Sequence, residues 1–326
     1  MTIDNRYEIL FIYDATDCNP NGDPLDENRP RTDPESGQAT VSDVRIKRTI
    51  RDYFLQQEPD EAQRLANGRE ILIRDTLKAD GYLSQGEDRA EQFLDAAGKG
   101  KKKEEKRQAI ETAVLRHCID ARLFGATLPL GKGNPSLQLT GPVQFSAFNR
   151  SLHRVNPTLV QQTAAYAGNA TANQHSFAER WLLPYALIAA YGVVNENAAR
   201  TTQLQPADLD ALYQALWYGT ADLNSHSKIG HEPLLLVIAE YQRGHRLGGL
   251  PKRLQLDSDK EESAIRSTHD YRLDIHDLLQ GWQQCQPLQR LQVKQASQLR
   301  CHSNGSDGDF AALATAAGLT VDNLTF

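Results

Sequence analysis

The sequence predicts an α+β fold in which helices cover one face of a sheet. Strand-like and helical segments follow one another in the order strand, helix, insertion, helix, strand, long loop, strand, helix, strand. That order fits a split βαβ, ferredoxin-like unit that carries insertions. The 326 residues contain 40% hydrophobic and 24% charged residues, which is typical of a globular protein with a sizeable core. The length suits two domains, or one domain with insertions.

The first strand is predicted at residues 6–14, where RYEILFIYD is an almost continuous apolar run. The next segment, 15–37, is dense in Asn, Pro, Gly and Asp, so we predict a loop. A helix then begins after Ser42, which is a good N-cap, with Asp43 in its first turn.

This first helix is predicted to be amphipathic, with a basic outer face. Its apolar face contains Ile46, Ile50, Tyr53 and Phe54. Its basic residues are spread over the other side: Arg45, Lys47, Arg48 and Arg51.

An insertion with short helices is predicted at 59–95, followed by a mobile GKGKKK tract at 98–103. A second helix is expected from Glu105 to Phe124, because apolar residues recur there at a spacing of four and Gly125 can end it. Residues 137–149 are predicted to be a strand.

The second half of the chain begins with a polar segment, 150–177, that has no clear period. The remaining elements predicted from their patterns are a strand at 182–194, a helix from Pro206, a strand at 234–241, a strand near 273–275 and a short helix at 309–317.

The charge distribution is uneven. A net charge of −6 excludes a protein that is basic overall, so nucleic-acid binding would need local segregation of charge. The stretch 121–178 contains no Asp or Glu, and segments 29–51 and 99–107 are also net positive. The basic residues of the acid-free stretch are Arg122, Lys132, Arg150 and Arg154. A bound polyanion would explain the absence of acids, and so would simple burial of an apolar segment.

Cysteine usage and the N-terminus favour a cytoplasmic protein. The cysteines form no CxxC pair, and the chain starts without a basic leader, which indicates a reducing compartment rather than a disulfide scaffold. The longest apolar stretch, 182–194, is too short to span a bilayer, so no membrane partner is expected.

Motifs for metal or nucleotide chemistry are incomplete. Asp17-x-Asn19-x-Asn21-Gly22 resembles the start of a calcium loop, but its twelfth position is Asn28 instead of Glu. We therefore predict a rigid turn whose side chains bond their own backbone. Residues 125–132 resemble a P-loop with the wrong spacing, and the histidines have no chelating arrangement, so neither a cofactor nor a metal is predicted.

Two polar sites remain open at this stage. His153, between Arg150 and Arg154, suits a binding loop better than a general base. Lys228 follows Asn224 and Ser225, a small polar group that suits phosphate contacts and equally suits an ordinary loop.

Several segments resemble one protein family. The string NPNGDPLDENRPRTDPESGQATVSDVRIKRTIRDYF (19–54) is similar to the backbone, or "Cas-seven", subunit of type I CRISPR-Cas effector complexes, most closely its I-B branch. Segments 122–155, 182–198 and 215–241 agree with the same family, and little resemblance is found beyond residue 241.

The resemblance implies a non-catalytic, hand-shaped subunit of the RAMP kind. Its palm would be a modified RRM or ferredoxin-like fold with inserted helical fingers and a β-hairpin thumb. The expected boundaries are palm 1–57, fingers 58–107, palm 108–150, thumb 151–179, and palm with the C-terminal part 180–326.

The implied partners follow from the same family. Copies of the chain would stack along the spacer of a CRISPR RNA and support its pairing with a target DNA strand in antiviral defence. Other partners would be the large, small and guide-5′-end-capping subunits and, indirectly, a helicase-nuclease. The chain lacks the paired aromatic motifs of a standard RNA-recognition domain, so backbone contacts are expected to dominate.

The candidate RNA-binding residues combine the basic helix, the Asn-rich loop, the acid-free stretch and the polar loop before residue 229. They are Asn19, Arg29, Arg31, Ser42, Arg45, Lys47, Arg48, Arg51, Asn149, Arg150, His153, Arg154, Asn224, Ser225 and Lys228. The alternative is a metal-dependent ribonuclease like related type III backbones, for which Asp14, Asp17 and Asp23 are the nearest acidic candidates.

Overall fold

The computed structural model describes residues 2–78, 80–94, 103–130, 136–167, 175–285 and 287–326, and only the backbone of 163–167 and 175–177. The predicted GKGKKK tract lies outside these residues except for Lys103. So do Lys132 and the middle of the 150–177 segment.

The elements of the first part are β1 (Arg6–Cys18), β2 (Gly22–Asp23), β3 (Arg29–Pro30), β4 (Gln38–Ser42), α1 (Asp43–Gln57), α2 (Glu61–Asn67), α3 (Gly86–Gln92), α4 (Lys103–His117) and α5 (Ile119–Phe124). The middle part contains β5 (Gly125–Leu128), β6 (Leu137–Thr140), β7 (Val143–Phe145), β8 (Phe148–Arg154), β9 (Thr158–Ala167), β10 (His175–Val194), α6 (Glu196–Thr202), α7 (Pro206–Ala221) and β11 (His231–Tyr241). The last part contains β12 (Gln255–Asp257), β13 (Arg272–Asp274), α8 (His276–Gln284), β14 (Leu288–Gln295), β15 (Cys301–Ser303), β16 (Ser306–Gly308), α9 (Phe310–Ala316) and β17 (Val321–Asn323).

A large sheet forms the centre of the fold, with strand order β17-β14-β11-β1-β10-β8-β4. Its middle strand, β1, pairs antiparallel with both β10 and β11, so that Phe11 faces Ala190 on one side and Leu236 on the other. The strands β7 and β9 also pair with β10. The mixed α+β class predicted from the sequence is therefore correct.

Helices α1 and α7 pack against each other and against one face of this sheet. The predicted apolar face of α1 is buried there: Ile46, Ile50, Tyr53 and Phe54. Gly219 of α7 lies at the closest approach, because a Cβ at this position would come within 2.9 Å of the Tyr53 Cβ. A larger residue at 219 would therefore push the two helices apart.

The opposite face of the sheet is also covered, which corrects the prediction of helices on one face alone. Leu10 and Ile12 of β1 pack there against residues 250–285 and 296–316, which we name the C-terminal layer. This layer contains α8, α9 and the small sheet β12-β13-β15-β16. Trp282 and Phe310 are its largest fully buried side chains. Burial on both faces explains why the β1 sequence is a continuous apolar run instead of an alternating one.

A third cluster of buried residues lies outside the central sheet. It joins the segment after α1 to α4, α5 and the hairpin β5–β6, through residues such as Leu72, Ile110, Val114 and Leu137. Beside it the fully buried Glu70 carboxylate accepts hydrogen bonds from three arginines: Arg64, Arg74 and Arg89. Among the described residues, no helix is long and apolar enough to cross a membrane.

Three predicted elements differ from the structure. Strand β1 continues to Cys18, and β2 and β3 form a small hairpin inside the predicted loop 15–37. The helix predicted at 105–124 breaks at Cys118, which makes a β-bridge to Glu70 and so separates α4 from α5. The strand predicted at 137–149 is divided into β6, β7 and the start of β8.

The polar segment predicted as a long connection contains an antiparallel hairpin of β9 and β10. Thr158 pairs with Leu182 at its base, and Ala167 pairs with His175 near its end. Val155, which precedes this hairpin in the polar segment, is only 5% exposed and belongs to the main core. Gln161 and Gln162 on one strand and Glu179 on the other are exposed, which agrees with the absence of a clear apolar period in this part of the sequence.

Candidate nucleic-acid interface

Three separate segments meet at the end of β1. They are the loop 19–31, the residues Arg180 and Trp181 at the base of the β9–β10 hairpin, and the loop 224–228, which together we name the junction surface. The Asn19 backbone N–H donates to the Ser227 carbonyl at 2.9 Å, and the Lys228 ammonium donates to the Asn19 carbonyl. The Asn19 side chain donates to the Asn28 carbonyl at 2.6 Å. These bonds fix the two loops against each other.

The hairpin base is held to these loops by two arginine contacts. The Arg29 guanidinium lies over the Trp181 ring, 4.7 Å from its centroid, a cation–π contact. Arg180 Nη1 donates to His226 Nε2 at 2.6 Å. Strand β3 also contacts β10 directly, so the direction in which the hairpin leaves the sheet depends on the junction surface.

The junction surface concentrates positive charge that the fold does not neutralise. Within the described part of the chain, no carboxylate forms an ion pair with Arg29, Arg180 or Lys228 of this surface, or with the neighbouring Arg45 of α1. The Nε atoms of Arg29 and Arg180 are buried and have no hydrogen-bond partner among the described residues. By contrast, Arg31 in the same loop is paired with Asp23 at 3.1 Å. Unpaired, partly buried cations carry a desolvation cost that a bound anion would offset.

Burial lowers the pKa of three basic residues in and beside the junction surface: Lys228, His231 and Arg45. It lowers the pKa of Lys228 to about 8, with a smaller contribution from the Arg45 charge. Burial likewise lowers the pKa of His231 to about 4, so this imidazole is neutral near pH 7 and adds no charge. Arg45 lines a small pocket together with Tyr13 and His231, and burial lowers its pKa too. It therefore does not lie on the outer face predicted for it.

The Asn-rich loop is built as the rigid turn predicted from its sequence. Asn21 Oδ1 accepts hydrogen bonds from the Ser42 N–H and hydroxyl at 3.0 Å each, which connects the loop to the α1 N-cap. Asp23 Oδ1 accepts from the Leu25 N–H at 3.1 Å. Among the described residues, no group of His, Cys, Asp and Glu is arranged to hold a metal ion.

The remaining basic residues of α1 do not form the predicted outer face. Arg51 pairs with the fully buried Asp120 at 2.8 Å, and Lys47 pairs with Asp43 at 2.9 Å. Only Arg48 is well exposed, at 62% of its side chain, and it pairs with Asp52. Most of the positive charge of α1 is therefore neutralised by carboxylates of the same protein.

Two predicted binding residues are buried and satisfied within the protein. Asn149 donates to the Val41 carbonyl at 3.1 Å and accepts from the Tyr191 N–H at 3.0 Å. His153 is 1% exposed, and its Nε2 accepts from the Leu187 N–H at 3.2 Å. Its burial lowers its pKa. The expectation that His153 lies in a binding loop is therefore wrong.

Arg150 and Arg154 lie on strand β8. Arg150 pairs with Asp33. Arg154 is exposed, and its Nε donates to the Ser36 carbonyl at 3.2 Å. Asn224 and Ser225 are exposed in the junction surface, as a phosphate-binding role would require.

Sequence reasoning missed Arg180, Trp181 and His226. The sequence does contain one indication: Arg180 and Trp181, a cation and a large aromatic residue, stand directly before the apolar run 182–194. The pattern could not reveal their partners, because Arg29 and His226 are distant in the sequence.

The acidic residues considered for ribonuclease chemistry do not converge. Asp14 is 7% exposed, and burial raises its pKa to about 7. Asp23 is paired with Arg31. Asp17 is exposed in a left-handed backbone conformation at the end of β1.

Comparisons with known proteins agree on one family. A protein-family model described as "CRISPR-associated protein Cas7" matches residues 5–276. The chain is 34% identical over 307 residues to the CRISPR-associated protein Cas7 of Haloferax volcanii, covering 86% of this chain and 83% of that protein.

Solved structures show the same fold. A chain of a "CRISPR RNA-guided surveillance complex, pre-nicking" matches with a TM-score of 0.54 and 14% identity over 95% of this chain and 98% of that chain. A chain of another "CRISPR RNA-guided surveillance complex" matches with a TM-score of 0.50 and 16% identity over 95% and 97%. The protein-family match and the Haloferax relative each cover most of the sequence, and the chain therefore belongs to the Cas7 family of CRISPR-associated proteins.

Proposed function

We propose that this chain is the backbone subunit of a type I CRISPR surveillance complex and that its junction surface binds the phosphates of the guide RNA. The observation that carries the proposal is the convergence of Arg29, Arg45, Arg180 and Lys228 without carboxylate partners among the described residues. Family membership supplies the identity of the polyanion. The I-B branch suggested by the sequence is compatible with the Haloferax relative.

The strand order supports an RRM-like palm. Strands β11-β1-β10-β8 lie side by side, with α1 and α7 on one face, as in a split βαβ unit. In a standard RNA-recognition domain the open face of the sheet binds RNA. Here the C-terminal layer occupies that face. The guide is therefore bound at the strand ends, where the junction surface lies.

The β9–β10 hairpin is the candidate thumb, and the third buried cluster belongs to the candidate fingers. We place the thumb at 158–182, which begins and ends a few residues later than the range 151–179 expected from the sequence. We place the fingers at 58–140, because the cluster includes Ile110, Val114 and Leu137 beyond the expected boundary at 107. The Arg29–Trp181 contact then connects thumb orientation to guide binding.

The proposed role is structural and needs no cofactor. Copies of the chain assemble along the guide in the cytoplasm, with the large, small and guide-capping subunits at its ends and sides, and hold it for pairing with a DNA strand. Cleavage is left to a recruited helicase-nuclease. Incubation of the assembled complex with complementary RNA and magnesium tests this division, since regularly spaced cleavage would contradict it.

A double variant tests the guide site. Arg29→Gln with Arg180→Gln removes two unpaired cations, and we expect a loss of single-stranded RNA affinity of about tenfold or more, with a salt slope lower by about 1.4. The control is Arg69→Gln with Arg200→Gln, which removes equal charge from exposed arginines paired with Glu58 and Asp4. Equal RNA affinity and salt slope in the two double variants would contradict the site.

A further inference from the structure

The buried His153 lies where the β9–β10 hairpin separates from the central sheet. Strand β8 pairs with β10 up to Ser151 and Ile188. Nearer its N-terminus, β10 pairs with β9, from Leu182 towards the hairpin tip. The β10 residues between these two pairings, 183–187, join the hairpin to the sheet, and we name them the hairpin root.

The His153 ring holds two residues of the hairpin root. Its Nε2 accepts from the Leu187 N–H at 3.2 Å, in place of a carbonyl of the β8 backbone. Because Leu187 is fully buried, this N–H needs an acceptor inside the protein. The same ring stacks on Tyr185, with the ring centroids 5.8 Å apart and the planes 19° from parallel. One side chain thus fixes both the backbone and a side chain of the root.

The Leu187 bond also determines which nitrogen of His153 carries the proton. With an acceptor at Nε2, the neutral imidazole has its hydrogen on Nδ1. Nδ1 donates to the carbonyls of Arg154 at 2.8 Å and Glu262 at 3.1 Å. Burial lowers the pKa of His153, which favours the neutral ring. The ring therefore connects the hairpin root with the end of β8 and with Glu262 of the C-terminal layer.

Two further contacts reinforce this connection. The Tyr185 hydroxyl forms a hydrogen bond with the Tyr271 hydroxyl of the C-terminal layer at 2.8 Å. The Glu262 carboxylate accepts from the Arg154 N–H at 2.8 Å. The hairpin is thus held at its base by the junction surface and at its root by His153 and the C-terminal layer.

We propose that His153 is a positioning residue, whose bond to the Leu187 N–H fixes the direction in which the β9–β10 hairpin leaves the sheet. The consequence for guide RNA rests on the proposed function, in which this hairpin is the thumb. From Leu182 to His175 the hairpin extends about 23 Å, so a change of about 10° at its root would displace its end by about 4 Å. A displacement of that size would alter contacts with the guide or with the next copy.

Asn149 provides a matched control on the same two strands. Its Oδ1 accepts from the Tyr191 N–H at 3.0 Å, which is again a bond from a β8 side chain to the β10 backbone. Asn149 is as deeply buried as His153, at 2% exposure. Tyr191 lies beyond the Ser151–Ile188 pair, on the side away from the hairpin. Asn149→Leu should therefore loosen β8 without changing the hairpin root.

The test measures the direction of the hairpin in the full chain without RNA. Spin labels are attached through unnatural amino acids at the exposed positions Gln162 in the hairpin and Ala207 in α7, and electron–electron double resonance gives their distance distribution. His153→Phe keeps an aromatic ring and removes both nitrogens. His153→Gln provides an acceptor near the position of Nε2, whereas His153→Asn provides a donor near Nδ1 and leaves Leu187 without an acceptor.

We expect His153→Phe and His153→Asn to give a distance distribution about twice as wide as that of the wild type, because the buried Leu187 N–H must find another partner. His153→Gln and Asn149→Leu should keep the wild-type width. A side chain that only stabilised the core would instead give widths that follow the melting temperatures of the four variants. Where His153→Phe does not fold, His153→Asn decides the result. A wild-type width in His153→Asn, or equal broadening in Asn149→Leu, would overturn the proposal.

Assembly on the guide is measured separately, by chemical probing of a long bound RNA. The variants with a broadened hairpin should keep the wild-type affinity for a short RNA that occupies one junction surface, and should lose part of the periodic reactivity. A broadened hairpin with unchanged periodic reactivity would support the positioning role of His153 and contradict the assignment of the hairpin as the thumb. Failure of this proposal and failure of the proposed function are therefore distinguishable.

Discussion

Lys228 illustrates how burial changes the protonation of a single residue in the proposed guide site. Its ammonium is held against the Asn19 carbonyl, and burial lowers its pKa to about 8. A phosphate contact needs the protonated form, and that form is lost as the pH rises through this value. Lysine is suited to such a point contact, and arginine keeps its charge throughout the range.

The first prediction follows from this pKa. RNA affinity of the wild type should fall by up to about tenfold between about pH 7 and pH 9, because Lys228 loses its proton before RNA binds. Lys228→Arg should show a flatter profile, since the guanidinium remains charged. Anisotropy titrations across this range test it, and parallel profiles for wild type and variant would show that Lys228 does not contact phosphate.

Arg51 shows why residue type alone misassigned part of α1. Its position on the polar side of the helix is visible in the sequence, but its partner Asp120 lies 69 positions away. Asp120 also accepts from the Leu72 N–H at 2.7 Å and the Ile73 N–H at 3.1 Å. Long-range pairing of this kind leaves no local signal, whereas the apolar face of the same helix was fully predictable from its period.

The second prediction concerns the element α1. Arg51→Ala should lower the free energy of unfolding by about 3 kcal/mol, because it leaves the Asp120 carboxylate buried without its cation. Arg48→Ala, at an exposed pair, should change it by less than about 1 kcal/mol. Urea denaturation measures both. RNA affinity of folded Arg51→Ala should equal that of the wild type, and a large loss would return this residue to the binding surface.

The β9–β10 hairpin is the element for which local sequence was least informative. Its strands are held by backbone pairing and a few polar contacts, such as Gln161 to Glu179 at 2.5 Å, so the apolar period that marks a buried strand is missing. The family resemblance implied a hairpin here, while composition alone indicated only a long polar connection.

The third prediction concerns a variant in which this hairpin is shortened. Replacing 162–178 by Asn-Gly joins Gln161 to Glu179 in their existing register and keeps Val155 and Trp181 in place. The variant should fold normally and bind RNA at single sites, but lose ordered assembly along a long guide. Chemical probing of the bound RNA measures this as lost periodic reactivity. A preserved period would show that another element sets the spacing.

At the scale of the whole molecule, the C-terminal layer covers the face of the sheet that is open in a standard RNA-recognition domain. The continuous apolar sequence of β1 predicted a buried strand, and Leu234–Tyr241 of β11 has the same character, but helices were expected on one face of the sheet only. What covers the second face was not predictable, because β12, β15 and β16 are only three residues each and carry no period, and the alternation that predicted a strand near β13 does not show what that strand packs against. Trp282 anchors the layer through its Nε1, which donates to the Tyr241 hydroxyl at 2.7 Å.

The fourth prediction tests the C-terminal layer as part of the folded core. Trp282→Ala should lower the free energy of unfolding by about 3–5 kcal/mol, because it opens a cavity between α8 and β11 and leaves the Tyr241 hydroxyl without its donor. Leu25→Ala, at a side chain that is 98% exposed, should have no effect within about 0.5 kcal/mol. Guanidinium denaturation compares them. A small effect of Trp282→Ala would mean that the layer packs only loosely on the sheet.

The central claim is that guide RNA lies on the junction surface at the ends of the strands and not on a face of the sheet. Photocrosslinking of bound thiouridine-containing RNA, with mass spectrometry of the attached peptides, tests this most directly. We expect crosslinks within 19–31, at Arg180 or Trp181, and within 222–230. Crosslinks concentrated in the C-terminal layer or on the outer surfaces of α1 and α7, with none at the junction surface, would contradict the account.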